Sequence, residues 1–114
     1  MEIKTDDYNI TYNPKAATVV CKGSLLLSST DEYAPILDLF NTAIKAHPAQ
    51  LTLDVKGLEL LNSSGINAFT KFVISVRKKT TLELIAVGHE DIPWQVRFLK
   101  NLQRLMPALK LQLE

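Results

Sequence analysis

Residues 51–66 read LTLDVKGLELLNSSGI, and this stretch decides the fold because its periodicity changes from that of a strand to that of a helix. Leu51, Leu53 and Val55 alternate with polar residues, which predicts a strand with one buried face. The polar run at residues 62–65 predicts a break. Apolar residues then recur at helical spacing, which predicts an amphipathic helix with this buried face: Ile66, Phe69, Phe72, Val73 and Val76.

The residues before this stretch predict a hairpin and a first helix. Apolar and polar residues alternate from Tyr8 to Tyr12, and residues 17–27 are mostly β-branched or apolar, so the two segments predict paired strands. Ser29 and Glu32 have the spacing of a capping box, which predicts the start of a helix, and Pro48 is expected to stop it. The predicted apolar face of this helix contains Tyr33, Ile36, Leu37, Phe40, Ala43 and Ile44.

The residues after it predict two more strands and a third helix. Residues 82–87, which are apolar except for Glu83, predict a strand that Gly88 ends, and residues 109–113 alternate again. Between them Pro93 suits the first turn of a helix, and Pro107 breaks it. Its predicted apolar face contains Trp94, Phe98, Leu99, Leu102 and Leu105.

The predicted element order is therefore β-β-α-β-α-β-α-β. Helices that link strands favour parallel pairing with right-handed crossovers. We predict an α/β fold in which residues 1–114 form a single domain, with a mixed, largely parallel sheet covered by three main helices.

Composition and charge limit the class of protein. The 114 residues carry a net charge of +1, with 46% hydrophobic and 22% charged residues, which is typical of one soluble globular domain. This balance lacks the strong positive field that nucleic acid binding usually needs. Cys21 is the only cysteine, the N-terminus does not resemble a signal peptide, and no apolar run is long enough to cross a membrane. We expect a cytoplasmic protein.

Motifs for catalysis, metals and cofactors are absent from the sequence. His47, His89 and Cys21 are far apart and fit no metal-ligand spacing, so we interpret them as loop and core residues. There is no GxSxG elbow, and a triad using His89 and Asp91 has no support from spacing. Neither GxGxxG nor GxxxxGK[ST] occurs. We expect no enzyme activity, metal or cofactor.

The third helix has a basic face formed by Arg97, Lys100 and Arg104. Such a face could contact nucleic acid or an acidic partner. Because the net charge is near zero, we interpret it as a solvated face.

The run Asn62-Ser63-Ser64-Gly65 has a definite chemical character at the start of a helix. The first backbone N–H groups there have no intrahelical partner, and the helix dipole adds partial positive charge. A short hydroxyl residue can cap these groups, and Gly65 permits the close approach of another backbone. A phosphate on Ser63 or Ser64 would add about −1.5 to −2 charge to this surface. The run is thus either a helix cap or a site of on/off modification.

The stretch 51–66 resembles the signature of the STAS domain, the fold of bacterial anti-sigma factor antagonists. In that family a Leu-Asp-Leu strand leads into Asp-Ser-Ser-Gly-Leu at a helix start. The matching positions are Leu53-Asp54-Val55 and Asn62-Ser63-Ser64-Gly65-Ile66. Element order and spacing agree from Tyr8 to Leu113.

The resemblance implies a regulatory switch. In these antagonists the first serine of the motif, here Ser63, is phosphorylated by a GHKL-type serine kinase that is also the anti-sigma factor. The unmodified form binds this kinase, the phosphorylated form does not, and a phosphatase resets the switch. The implied partner surface is Asn62, Ser63, Ser64, Gly65 and Ile66, with the neighbouring residues 23–29.

The sequence differs from the family pattern in two ways. Asn62 replaces the usual Asp, which removes a negative charge beside Ser63 and leaves a constitutive scaffold as an alternative function. The chain also ends after the last strand, where many relatives have another helix, so we expect an uncovered edge or groove that favours a partner or a homodimer. Binding of a nucleotide, a lipid or another small ligand is a third possibility, and Ser64 is the alternative acceptor.

Overall fold

Within residues 1–47, 49–79 and 81–114, the computed structural model describes six strands and three α-helices. The strands are β1 (Glu2–Lys4), β2 (Tyr8–Asn13), β3 (Thr18–Leu25), β4 (Gln50–Leu61), β5 (Glu83–Gly88) and β6 (Lys110–Leu113). The helices are α1 (Ala34–Ala46), α2 (Ser63–Arg77) and α3 (Pro93–Leu105), and a 3-10 turn at Thr30–Tyr33 precedes α1.

The strands lie in one sheet in sequence order, β1-β2-β3-β4-β5-β6. The β1–β2 and β2–β3 pairs are antiparallel, and the later three pairs are parallel. Because three right-handed crossovers proceed in one direction along the sheet, they place α1, α2 and α3 on the same face. The predicted α/β class with a mixed, largely parallel sheet and three helices is confirmed.

An aromatic cluster joins the three helices under the sheet. The ring centroids of Phe40 and Phe72 are 4.6 Å apart, and Phe69 lies 5.4 Å from both Phe40 and Phe98. On the covered face of β4, Leu51, Leu53 and Val55 are fully buried. The intervening polar residues of β4 are only half-buried, because helices cover one face of the sheet and not both.

The structure differs from the sequence-based expectation at β1 and at the start of the first helix. β1 was not predicted, because Ile3 is the only apolar residue in it; pairing with Ile10 of β2 forms this strand. The first helix was predicted to begin near Ser29, but Ser29 instead caps the 3-10 turn, and α1 begins at Ala34. α1 ends at Ala46, and the predicted stop at Pro48 lies outside the described residues.

β4 is longer than the alternation at residues 51–55 predicts, because a bulge lets it continue to Leu61. β4 pairs with β5 only as far as Asp54, so the next carbonyl groups need other partners. The fully buried Gln95 of α3 supplies them: its Nε2 donates to the carbonyls of Lys56 and Leu58 at 3.2 and 2.8 Å. Its Oε1 accepts from the His89 N–H at 2.8 Å. Gln95 thereby fixes the path of β4 toward the start of α2.

Candidate functional site

The candidate site lies where β4 ends and α2 begins. Ser63 is the first residue of α2 and is exposed, whereas Ser64 is half-buried. In the part of the chain that the structure describes, the Ser63 hydroxyl has no hydrogen-bond partner, and the backbone N–H groups of Ser63 and Ser64 have no acceptor. An unengaged hydroxyl therefore stands beside two free donors at the positive end of a helix.

Asn62 is the capping residue of α2, so the run 62–65 does cap the helix, through the Asn62 amide and not through a serine hydroxyl. The Asn62 Oδ1 accepts from the Gly65 N–H at 2.9 Å and from the Tyr33 hydroxyl at 2.9 Å. Its Nδ2 donates to the Leu27 carbonyl at 2.8 Å. The amide thus joins the start of α2 to the chain that follows β3, and it leaves both serine hydroxyls free of a capping role.

Tyr33 stabilises the cap through a hydrogen bond to Asn62 from the buried side. Its side chain is fully buried, and its hydroxyl reaches Asn62. Burial raises the pKa of Tyr33 above its ordinary value, so the phenol keeps its proton and remains a donor. The Tyr33 hydroxyl therefore acts as the donor in its hydrogen bond to Asn62 Oδ1.

Gly65 is required by close side-chain packing, and not by the backbone approach that the sequence suggested. A Cβ atom there would collide with Leu61 Cδ1 and would lie 2.8 Å from the Tyr33 hydroxyl oxygen. The missing side chain lets α2 start directly against the end of β4.

The chain after β3 lies beside this cap. The Asn62 N–H donates to the Leu25 carbonyl at 3.1 Å, and Leu26 next to it is exposed. Of the predicted segment 23–29, residues 25–27 therefore adjoin the site. Gly23 is part of β3 and pairs with Tyr8 of β2.

An apolar groove of about 330 Å³ runs between α2 and α3 from the end of β4. Three large apolar side chains in it are exposed: Leu60 by 53%, Ile66 by 42% and Leu105 by 36%. The sequence predicted an uncovered edge or groove but not its position or lining, since Leu60 follows the clear alternation of β4 and Leu105 was assigned to the apolar face of the third helix. The irregular placement of Leu60 after the alternation of β4 is the signal that could have indicated it.

The other candidate residues do not assemble into a site. Cys21 is buried, which raises the pKa of its thiol and leaves it unreactive. His47 Nε2 lies 2.6 Å from the Tyr12 hydroxyl, and His89 Nδ1 accepts from the Asp91 N–H at 3.0 Å. Among the described residues, no three His, Cys, Asp or Glu side chains are grouped so that they could hold a metal ion.

The basic face of α3 is exposed at Arg97, Lys100 and Arg104. Arg97 lines the apolar groove, while Lys100 and Arg104 border a shallow depression at the end of the helix. The face is solvated, as predicted, and at Arg97 its positive charge also adjoins the exposed apolar surface.

Solved structures with the same fold include regulatory proteins of low sequence identity. Apo-SiaC from Pseudomonas aeruginosa matches with a TM-score of 0.76 and 13% identity, over 100% of this chain and 98% of that chain. A chain in the complex of the diguanylate cyclase SiaD with its activator SiaC, from the same organism, gives 0.74 and 15%, over 100% and 99%. An anti-sigma factor antagonist from Mycobacterium paratuberculosis gives 0.58 and 17%, over 96% and 82%.

These matches establish the fold. No protein-family model and no curated protein matches the sequence. The chain has a STAS-like fold, as its resemblance to anti-sigma factor antagonists implied. None of the helices in the described residues is both long and apolar enough to span a membrane.

Proposed function

We propose that this protein is a non-catalytic regulatory domain that binds another protein and is switched by phosphorylation of Ser63. The observation that carries the proposal is the exposed, unengaged Ser63 hydroxyl at the start of α2, one turn before the exposed Ile66. A surface that combines a free acceptor hydroxyl with apolar side chains suits a docking site that a modification can block.

The electrostatics of the site agree with such a switch. A phosphate on Ser63 would meet the free N–H groups of Ser63 and Ser64, which lowers the cost of placing a dianion there. It would also add about −1.5 to −2 charge one helical turn from Ile66, which lines the apolar groove. Burying that charge in an interface costs several kcal/mol, which exceeds the roughly 1.4 kcal/mol that changes an affinity tenfold.

Ser63 is the proposed acceptor, and Ser64 is the alternative. Ser63 is exposed, while Ser64 is half-buried. A kinase must place the acceptor oxygen in line with the γ-phosphate of ATP, and an exposed side chain permits this without unwinding the helix. The difference in exposure favours Ser63.

The proposed partners are a GHKL-type serine kinase that is also an anti-sigma factor, and a phosphatase that reverses its action, both in the cytoplasm. They follow from the resemblance of residues 62–66 to the motif of anti-sigma factor antagonists. The structural neighbours support a regulatory role: one is such an antagonist, and SiaC is the activator of a diguanylate cyclase.

Labelling by a GHKL-type kinase tests the proposal. We expect incubation with the cognate kinase and ATP to add one phosphate to the intact protein and to the Ser64→Ala variant, and none to Ser63→Ala. Peptide mass spectrometry locates the phosphate. A kinase that binds the domain but never labels Ser63 would contradict the switch.

A constitutive scaffold is the second candidate function, and the hydrogen bonds of Asn62 favour it. Both polar atoms of the Asn62 side chain are engaged within the fold, so this residue beside Ser63 offers a kinase no free polar group. The Ser63→Asp variant separates the two functions. It should lose its partner if the protein is a switch and retain it if the protein is a scaffold with a distant interface.

A further inference from the structure

We propose that the groove between α2 and α3 binds an amphipathic helix of the partner whose flanking residues are acidic. This inference rests on the proposed function, since it specifies the segment of the partner that the regulatory surface binds. Three features of the groove carry it: its apolar walls, its length and its charge.

The walls of the groove are apolar side chains that the fold leaves uncovered. Leu60 comes from the end of β4, Ile66 from the first turn of α2, and Leu105 from the last turn of α3. Trp94 and Phe98 lie between them, with ring centroids 6.2 Å apart. Covering such a surface yields about 25 cal/mol for each Å² of apolar area removed from water, so an apolar segment of a partner is the favoured occupant.

The groove has the length of a short helix. α2 and α3 run side by side in the same direction: Phe69 contacts Phe98, and farther along, Arg77 Nη1 donates to the Leu105 carbonyl at 3.0 Å. Along α3 the lining residues run from Trp94 to Leu105, which is about 16 Å at about 1.5 Å per residue and corresponds to three turns. A helix that places apolar side chains at i, i+3, i+4 and i+7 fits this length.

The positive charge of the groove favours a partner segment with acidic residues. Arg97 lines the groove, and Arg104 follows Arg97 by seven residues and so lies on the same side of α3. Arg77 donates to the carbonyl of Leu105, which is one of the lining residues. Within the described residues, no Asp or Glu side chain lines the groove. A second copy of this chain would bring these arginines toward identical arginines, so the charge disfavours a homodimer through this face.

The same charges couple the groove to Ser63. Ser63 lies one turn before Ile66 and two turns before Thr70 on α2, and these two residues line the groove, so helical spacing places Ser63 on the same side of the helix. A phosphate there would repel the acidic flanks of a helix at the groove entrance and would attract the arginines that otherwise pair with them. An acidic helix and a phosphorylated Ser63 are therefore expected to exclude one another.

Two synthetic helical peptides test the inference on the full chain. Both carry leucines at i, i+3, i+4 and i+7; one has glutamates at the flanking positions and the other has lysines. We expect the glutamate peptide to shift the amide NMR signals of Ile66, Thr70 and Asn101, and to bind at least about tenfold tighter than the lysine peptide, a difference of about 1.4 kcal/mol.

Charge reversal supplies the matched control. The Arg97→Glu/Arg104→Glu variant changes two exposed residues and is expected to prefer the lysine peptide. The Lys15→Glu/Lys45→Glu variant makes the same change in net charge away from the groove and should keep the preference for the glutamate peptide. Equal affinities for the two peptides, shifts confined to the open sheet face, or a concentration-dependent dimer that shifts the groove signals would overturn the inference.

The outcomes separate this inference from the proposed function. If a kinase labels Ser63 but the glutamate peptide does not bind the groove, the groove assignment fails and the switch remains. If the peptide binds the groove while Ser63 is never labelled, the groove assignment stands and the switch fails. If the Ser63→Asp variant binds the glutamate peptide more weakly than the natural protein does, the result supports both the groove assignment and the switch.

Discussion

At the scale of single residues, Asn62 explains why this chain has an amide where related motifs have a carboxylate. Its oxygen accepts from Gly65 and Tyr33, while its nitrogen donates to the Leu27 carbonyl. A carboxylate could perform the first task but not the second. The residue beside the proposed acceptor therefore holds the chain after β3 against the start of α2.

The Asn62→Asp substitution tests this account. We expect it to lower the free energy of unfolding by about 1 kcal/mol, because the helix remains capped but the Leu27 carbonyl loses its donor. Urea unfolding at pH 7 measures the change. The control is Asn67→Asp, an exposed position of α2, which should stay within about 0.5 kcal/mol of the natural protein. Equal stability of Asn62→Asp and the natural protein would contradict the donor role.

Gly65→Ala tests the packing beneath the cap. The new methyl group would meet Leu61 and the Tyr33 hydroxyl, so we expect a loss of about 1–3 kcal/mol in the free energy of unfolding. Asn67→Ala, on the exposed side of the same helix, should cost less than about 0.5 kcal/mol. An unchanged denaturation midpoint for Gly65→Ala would show that this contact relaxes freely.

The sequence predicts only the part of this site that depends on residues close to one another in the chain. The start of α2 at residues 62–65 was predictable, because helix starts depend on neighbouring residues. The contributions of Tyr33 and Leu27 were not, because they lie 29 and 35 residues away from Asn62. Side chains that meet only in the folded chain leave no local pattern.

At the scale of elements, the end of β4 departs most from its sequence pattern. Alternation predicts the buried side of β4 from Leu51 to Val55. After the bulge the pattern changes, and the Leu60 side chain is exposed to solvent. Gln95 holds this path, although it was left out of the predicted buried face of α3 because it is polar. The burial of a polar residue such as Gln95 can be predicted only when its hydrogen-bond partners are known.

The Gln95→Leu substitution should destabilise the protein by about 3 kcal/mol. It keeps the side-chain volume but leaves the Leu58 and Lys56 carbonyls and the His89 N–H without their partner. Chemical denaturation measures the effect. Gln103→Leu, which removes a single bond to the Leu109 carbonyl, is the control and should cost about 1 kcal/mol. A smaller effect of Gln95→Leu than of Gln103→Leu would contradict the assigned role.

At the scale of the whole molecule, helices cover one face of the sheet, and the other face stays open. The order of elements predicts parallel crossovers, but the spatial order of the strands decides which face the helices occupy. The open face carries ion pairs instead of a second helical layer: Lys56 Nζ lies 2.7 Å from Glu114, and Lys110 Nζ lies 3.0 Å from Glu83. Among the described residues, three of the five exposed large apolar side chains line the groove: Leu60, Ile66 and Leu105.

Cys21 reports on the integrity of the whole core. Its side chain is fully buried, and burial raises the pKa of the thiol, so the native protein should contain almost no accessible thiolate. We expect no labelling by iodoacetamide at pH 8 over an hour and complete labelling in denaturing urea, both measured by intact mass. Native labelling at the rate of free glutathione would mean that the core opens far more readily than the packing around Cys21 implies.

The most direct test of the account compares the affinity of one partner for two forms of this chain. The unmodified protein and the protein carrying phosphoserine at position 63 are titrated against the cognate GHKL-type kinase, without ATP, by isothermal calorimetry. The account predicts at least about tenfold weaker binding of the phosphorylated form. Equal affinity of the two forms would contradict it.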